Sequence, residues 1–187
     1  MFGQIGELLV RTAFGLIIYV ALARFFMQAF RAPFRNPVGQ FVMALTDWAV
    51  MPLRRVVPTF RGYDLPSLVL AWLASFVQLT VLFSLAGGGL ATGGSLLLLG
   101  SLLELARACL HLGMFVVIVQ VIISWVSPYA PLAPVFDALT RPLYGVFRRL
   151  IPPIGNIDLS PLFVVLVLQI LLIALDNTPR LLLTSMR

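Results

Sequence analysis

Four long apolar stretches, separated by more polar segments, dominate the pattern along the chain. They run from about Ile5 to Phe30, over Leu65–Ala86, over Leu96–Val126 and from about Ser160 to Leu175. About 20 mostly apolar residues are enough for a helix to cross the apolar core of a bilayer. The pattern therefore predicts four transmembrane helices, and Pro179 is expected to end or kink the last of them.

The sequence defines the ends of these helices less sharply than their middles. In the first helix, we expect Arg11 and Arg24 to extend their aliphatic stems so that the two charges reach opposite membrane surfaces. Leu96–Val126 exceeds the thickness of the apolar core, so it is either one tilted helix or two pieces that break near Gly100. The Gly-rich stretch Leu85–Ser95 predicts a flexible turn.

The segments that connect the first two and the last two apolar stretches have helical periodicity. Between Val38 and Val57, apolar residues recur at helical spacing, and the opposite side carries Gln40, Asp47 and Arg54. Between Val135 and Leu150, the polar face is formed by Asp137, Arg141 and Arg148. Such a pattern is typical of an amphipathic helix that lies in the membrane interface.

The chain consists of two copies of one unit. Leu139–Leu162 aligns without a gap with Leu45–Leu68, at an offset of 94 residues (139 minus 45). The residues of the first copy that recur are Leu45, Thr46, Arg54, Arg55, Pro58, Asp64, Leu65 and Leu68. Residues 1–93 and 94–187 are therefore predicted to be repeats, each a helix, an interfacial amphipathic segment and a helix. Each repeat crosses the membrane twice, so the two are parallel.

The composition supports an all-α membrane protein and limits its chemistry. The chain is 60% hydrophobic and 11% charged, whereas soluble domains have about 25% charged residues. In a membrane protein, the net charge of +6 indicates contact with lipid headgroups rather than nucleic acid. The sequence has no metal-ligand cluster, nucleophile–base constellation or phosphate-binding glycine loop, so we expect neither an enzyme nor a cofactor.

The arginines predict the orientation of the chain in the membrane. The connections between helices contain eight of the 13 basic residues, namely Arg31, Arg35, Arg54, Arg55, Arg61, Arg141, Arg148 and Arg149. The Gly-rich turn contains none. Because cytoplasmic loops are enriched in basic residues, we predict that both connections are cytoplasmic and that both termini lie outside.

Two arginine pairs, Arg54-Arg55 and Arg148-Arg149, recur at the same place in both repeats. Either they only set topology and anchor the chain, or they form a basic surface that binds a lipid headgroup, an acidic partner or an anion. Four arginines would attract an anionic membrane by about 4 kcal/mol in total.

The acidic residues Asp64 and Asp158 stand just before the second helix of each repeat. They are predicted to cap these helices by accepting hydrogen bonds from local amides. The alternative is that each aspartate pairs with an arginine of its own or of the other repeat.

Glu104, Arg107 and His111 share one face of the third predicted span, at three- and four-residue spacing. Ionisable side chains within a span are candidates for function. They form either an ion-pair cluster or a relay for protons or ions. None of the three has an ionisable counterpart in the first repeat, where the aligned residues are Val10, Ala13 and Ile17.

Several motifs recur together along the chain: Asn36-Pro37, the run from Pro52 to Pro58 with Asp64, Ser124-Trp125-Val126-Ser127, Arg141-Pro142-Leu143, the run from Phe147 to Pro152, and the run from Ile157 to Pro161. Together they resemble the YggT (also YlmG) family of membrane proteins. The resemblance covers nearly the whole chain and implies a protein of the bacterial inner membrane. It also implies links to osmotic stress, ion handling, cell division or the assembly of membrane complexes, but it identifies no catalytic residue.

Together these features predict a non-enzymatic scaffold or assembly factor, or an envelope and osmotic stress-response factor, whose basic segments contact anionic lipid or a membrane-complex partner. The alternative is a small ion channel or transport component. Ala71 and Ser75 are a pair of small residues at the spacing that favours helix packing between copies, so a homo-oligomer is compatible with the sequence.

Overall fold

The computed structural model describes residues 2–60, 62–88, 90–150 and 158–185. It contains six helices in these ranges: α1 Phe2–Ala29, α2 Pro37–Leu53, α3 Leu65–Leu85, α4 Leu90–Val126, α5 Ala133–Leu150 and α6 Ser160–Ser185. Four of them, α1, α3, α4 and α6, are long and apolar enough to cross a membrane. This confirms the predicted all-α architecture with four spans. The part of the second repeated segment from 151 to 157, including Pro152, lies outside the described residues.

The helices α2 and α5 lie at the same end of the four-helix bundle. One buried apolar cluster joins Met27 of α1, Val42 of α2, Val116 of α4 and Val135 of α5. We call this the connection end, and the end where α3 leads into α4 the turn end. Both repeats therefore place their short helix on one side of the bundle.

Small side chains bring α1 and α3 close together. Ala21 of α1 and Ala71 of α3 are fully buried, and they pack in one cluster with Leu22, Ala74 and Ala108. Lipid tails are as apolar as the helices, so packing of small residues is what favours close approach. The corresponding helices of the second repeat, α4 and α6, meet through the larger Val117, Val164 and Leu168.

The sequence at the start of α2 accounts for its position beneath α1. Asn36 is the N-cap, and its side chain accepts a hydrogen bond from the Gly39 amide at 2.9 Å, while Pro37 occupies the first helical turn. Gly39 lies directly against the Phe34 backbone, where a Cβ atom would collide. The buried side of α2 then follows helical spacing, through Gly39, Val42, Thr46, Ala49 and Val50.

Two helix ends lie outside the predicted bounds, because α4 begins earlier and α6 ends later than the sequence predicts. The third span is one continuous helix, and because α4 begins at Leu90, part of the predicted Gly-rich turn is helical. The last helix continues through Pro179 to Ser185. Local helix propensity is a weak predictor of helix ends, and neither the glycines nor Pro179 stops the helix here.

The close α1–α3 contact predicts a position-specific response to added volume. Replacing Ala71 by Leu should destabilise the protein by about 1–3 kcal/mol, because the buried site has no room for a larger side chain. Unfolding in detergent micelles measures the effect. The control is Leu73→Ala on the outward face of the same helix, where Leu73 is 40% exposed. Equal losses at both positions would contradict the packing described here.

Candidate functional site at the connection end

In both repeats, an arginine–aspartate ion pair links the end of the short helix to the start of the next long helix. In the first, Arg54 follows α2 and Asp64 precedes α3, with 3.2 Å between Arg54 Nη2 and Asp64 Oδ2. In the second, Arg148 in the last turn of α5 lies 2.7 Å from Asp158, measured from Nη2 to Oδ2. The first arginine of each recurrent pair therefore holds the start of the following helix.

The two aspartates differ as helix caps. Asp158 Oδ1 accepts a hydrogen bond from the Ser160 amide at 2.9 Å, as expected for a carboxylate that binds local amides. The Asp64 side chain makes no capping hydrogen bond with α3, so the predicted cap is not formed there. Its Oδ2 atom instead accepts from the Ser67 hydroxyl at 2.7 Å and lies beside two guanidinium groups.

The second guanidinium beside Asp64 is that of Arg24. This position differs from the sequence-based expectation that the Arg24 charge reaches a membrane surface. The protein encloses the Arg24 side chain, which is only 6% exposed and does not present its charge outward. Its Nε lies 3.2 Å from Asp64 Oδ2, and its Nη1 lies 2.7 Å from Asp47 Oδ1 and donates to Thr46 Oγ1 at 2.6 Å. Two carboxylates and a hydroxyl thus compensate the burial of its charge.

The second repeat lacks this central arginine. Position 24 plus 94 is Ile118, and position 47 plus 94 is Arg141 rather than an aspartate. Whereas the Asp64 side chain is fully buried, those of Arg148 and Asp158 are 60% and 35% exposed. The same ion pair is therefore enclosed in the first repeat and open in the second.

The charges around the open pair affect the titration of two groups. Burial raises the pKa of Asp158, but hydrogen bonds from Ser160 and Arg148 outweigh it and leave the pKa below its usual value. Burial, followed by the negative charge of Asp158, raises the pKa of Tyr144 to about 12. The Arg148 guanidinium lies over the Tyr144 ring, 5.4 Å from its centroid, which is a cation–π contact. At neutral pH the site therefore holds an ionised Asp158 and a neutral Tyr144.

The second arginine of each recurrent pair takes no part in these contacts. Arg55 and Arg149 are exposed and form no ion pair with the described part of the chain. Three more exposed arginines at the same end also form no ion pair within the described ranges: Arg31, Arg35 and Arg141. The four arginines that the sequence grouped together thus divide into two that fix structure and two that face outward.

At the turn end, Arg107 joins α4 to α6. Its Nη1 lies 3.1 Å from Glu104 Oε2, and its Nε lies 2.8 Å from Asp176 Oδ1. His111 Nδ1 donates to the Arg107 carbonyl at 2.9 Å. The predicted Glu104–Arg107–His111 face is thus built around an ion-pair cluster. Within residues 2–60, 62–88, 90–150 and 158–185, no group of three or more His, Cys, Asp or Glu side chains is placed to hold a metal ion.

Sequence reasoning missed three residues that complete these clusters. Arg24 and Asp47 belong to the enclosed site, and Asp176 belongs to the turn-end cluster. A charge inside a predicted span was a usable signal for Arg24. The recurrence of Thr46 as Thr140 was a second signal, since both side chains are buried and the first accepts from Arg24.

The family model described as CCB3/YggT matches residues 4–85 and, a second time, residues 99–178. The chain belongs to the CCB3/YggT family. The double match confirms the two-repeat architecture, and with four apolar helices it indicates a multi-pass membrane protein. No solved structure matches the chain.

Relatives of this CCB3/YggT member span nearly the same length. An uncharacterized protein of Pseudomonas aeruginosa is 37% identical over 165 residues, which are 87% of this chain and 84% of the relative. An uncharacterized protein of Vibrio alginolyticus is 36% identical over 162 residues, 86% of this chain and 88% of the relative. The uncharacterized protein YggT of Escherichia coli strain K12 is 36% identical over 164 residues, 87% and 85% of the two chains. The relatives assign a family and no activity.

The two equivalent aspartates should respond differently to neutralisation. Asp64→Asn removes one of the two carboxylates that compensate the buried Arg24, so it should destabilise the protein by about 3 kcal/mol. The matched change, Asp158→Asn, breaks an exposed pair and should cost about 1 kcal/mol or less. Unfolding of both variants in the same detergent measures the difference. Losses of similar size at the two positions would contradict the distinction between an enclosed and an open site.

Proposed function

We propose that the protein is a non-enzymatic scaffold or assembly factor of the bacterial inner membrane, active in the envelope and osmotic stress response. Its connection end faces the cytoplasm and engages anionic lipid headgroups. The observation that carries the proposal is the set of exposed arginines without an ion pair among the described residues, all located at the connection end.

The distribution of charge between the two ends of the bundle supports this orientation. Among described residues, the connection end carries eight arginines, Arg24, Arg31, Arg35, Arg54, Arg55, Arg141, Arg148 and Arg149, and four aspartates, Asp47, Asp64, Asp137 and Asp158. The difference, 8 − 4, is +4. The turn end carries Arg11, Arg107 and Arg180 against Glu7, Glu104 and Asp176, so 3 − 3 gives 0. Basic residues favour the cytoplasmic side.

The paired and unpaired arginines have complementary roles in this proposal. The ion pairs of Arg54 and Arg148 hold the connections beneath the bundle, and the adjacent Arg55 and Arg149 are thereby presented outward. Five unpaired arginines near an anionic membrane surface would contribute about 5 kcal/mol of attraction in total. This attraction acts over a Debye length of about 8 Å at physiological salt, so it favours a surface in direct contact with the headgroups.

The described contacts favour a scaffold over an ion channel. A conducting path needs polar groups along its length. In α1, the buried apolar residues Ile18 and Leu22 lie between Arg11 and the enclosed Arg24. At the turn end, the charge of Arg107 is compensated by two carboxylates on α4 and α6.

Substituting the outward arginines should separate binding from folding. The double variant Arg55→Gln/Arg149→Gln should keep its unfolding temperature while its preference for phosphatidylglycerol over phosphatidylcholine falls by about 2 kcal/mol, roughly 30-fold. The matched control, Arg54→Gln/Arg148→Gln, should lower the unfolding temperature. Lipid selectivity in nanodiscs and growth of complemented cells after an osmotic step are the two measurements. If the outward double variant behaves as the unsubstituted protein does in both, the proposed role of these arginines is wrong.

Ion flux from proteoliposomes distinguishes the scaffold from the transport alternative. With K⁺, Na⁺ and H⁺ gradients and an osmotic step, the purified protein should release no more ions than empty liposomes do. Flux above that background, altered by Arg107→Gln, would contradict the scaffold proposal and favour conduction through the turn-end cluster.

A further inference from the structure

A cavity of about 760 Å³ lies between α4, α5 and α6 in the second repeat. Its volume falls within the range of about 300–1,000 Å³ that is typical of small-molecule sites. Apolar side chains, including Val117, Val121 and Val165, form most of its wall. Its polar side is formed by Arg148 and Asp158, the open ion pair. The cavity is thus apolar along its length and charged at one end.

The divergence of the two repeats explains why the cavity lies in the second. In the first repeat, Arg24 reaches from α1 to the fully buried Asp64 and closes this region. The aligned residue of α4 is Ile118, which is 48% exposed and cannot pair with Asp158. Because this ion pair is missing, the start of α6 is not held close to α4, and the space between the two helices stays open.

The position of the cavity along α4 matches the depth of a lipid molecule. Trp125, near the end of α4, lines the cavity and is 81% exposed, and tryptophan is enriched at the headgroup level of membranes. Val117 lies eight residues away, about 12 Å at the helical rise. The cavity therefore extends from the interface into the acyl region, and the exposed Ile118 and Ile122 mark its lipid-facing side.

Arg148 has donors available for a phosphate group. Its Nε and Nη2 both contact the same oxygen of Asp158, at 2.9 and 2.7 Å. Its Nη1 has no partner in the part of the chain that the structure describes, and the side chain is 60% exposed. A guanidinium can bind carboxylate and phosphate groups at once because it carries five N–H donors in a planar fork. Asp158 thus orients Arg148 without using all of its donors.

We propose that this cavity binds one anionic phospholipid, with its phosphate on Arg148 and one acyl chain between α4 and α6. The inference deepens the proposed function, because it places a single lipid at a defined site within the broader attraction of the connection end. The two claims rest on different residues. The surface attraction uses the outward Arg55 and Arg149, whereas the bound lipid uses Arg148 and the apolar wall.

Quenching of Trp125 fluorescence by brominated lipid tests the site directly. The variant Trp48→Phe/Trp72→Phe leaves Trp125 as the only tryptophan of the chain. In liposomes, brominated phosphatidylglycerol should quench it at a mole fraction about fivefold lower than brominated phosphatidylcholine does, because only phosphatidylglycerol brings a net negative charge to the arginine, worth about 1 kcal/mol. The matched reporter is Trp48, exposed on α2 in the first repeat. In Trp72→Phe/Trp125→Phe, it should report only the general attraction of the connection end, which Arg148→Gln should leave unchanged.

Three substitutions locate the effect in the cavity. Arg148→Gln should abolish the preference for phosphatidylglycerol at Trp125. Val165→Phe should fill the apolar wall and reduce quenching by both lipids. Ile118→Arg should recreate the tie of the first repeat by pairing with Asp158 and should exclude the lipid. Val165→Phe keeps the test valid if the introduced arginine prevents folding.

Separate outcomes would contradict the lipid site and the surface proposal. If Trp125 loses its preference for phosphatidylglycerol in Arg55→Gln/Arg149→Gln but keeps it in Arg148→Gln, the lipid site is wrong and the surface proposal stands. Equal quenching by both lipids, unchanged by Val165→Phe, would also overturn the site. Protection of Trp125 that grows with protein concentration would show that a second copy occupies the cavity, and this too would contradict the proposal.

Discussion

The buried carboxylate of Asp64 is the interaction on which the first repeat depends. It joins Arg24 of α1, Arg54 at the end of α2 and Ser67 at the start of α3. Removing one member of a buried ion-pair network leaves an uncompensated charge, which is strongly destabilising. Backbone and side-chain polar groups in an apolar medium must be satisfied within the protein. The connection is therefore held in place chemically as well as by packing.

The two repeats share a chain path and differ in the use of one ion pair. Arg54–Asp64 and Arg148–Asp158 are equivalent in sequence, and each joins residues ten positions apart. The additional arginine of α1 encloses the first pair, while Ile118 leaves the second pair open beside a cavity. One copy therefore encloses its ion pair, while the other keeps an accessible charge.

The two arginines of each recurrent pair have different roles, and this difference connects the structure to the proposed function. Arg54 and Arg148 are oriented by carboxylates, and the neighbouring Arg55 and Arg149 then face away from the bundle. The same ion pairs that hold the short helices under the spans also present a basic surface at that end. The compensation of the turn-end charges within Glu104, Arg107 and Asp176 adds to the asymmetry between the ends.

The sequence by itself determined the four spans, the duplication and the concentration of arginines in the connections. These properties are local or periodic, because span length follows from apolar composition and the repeat follows from a fixed offset. Only the tertiary structure decided that Arg24 turns inward, that Asp64 is not a side-chain cap, and that Asp176 joins Arg107. It also decided that the second repeat holds a cavity. The physical reason is the same in each case: the partner that fixes the side chain or closes the space comes from another helix, distant in the sequence.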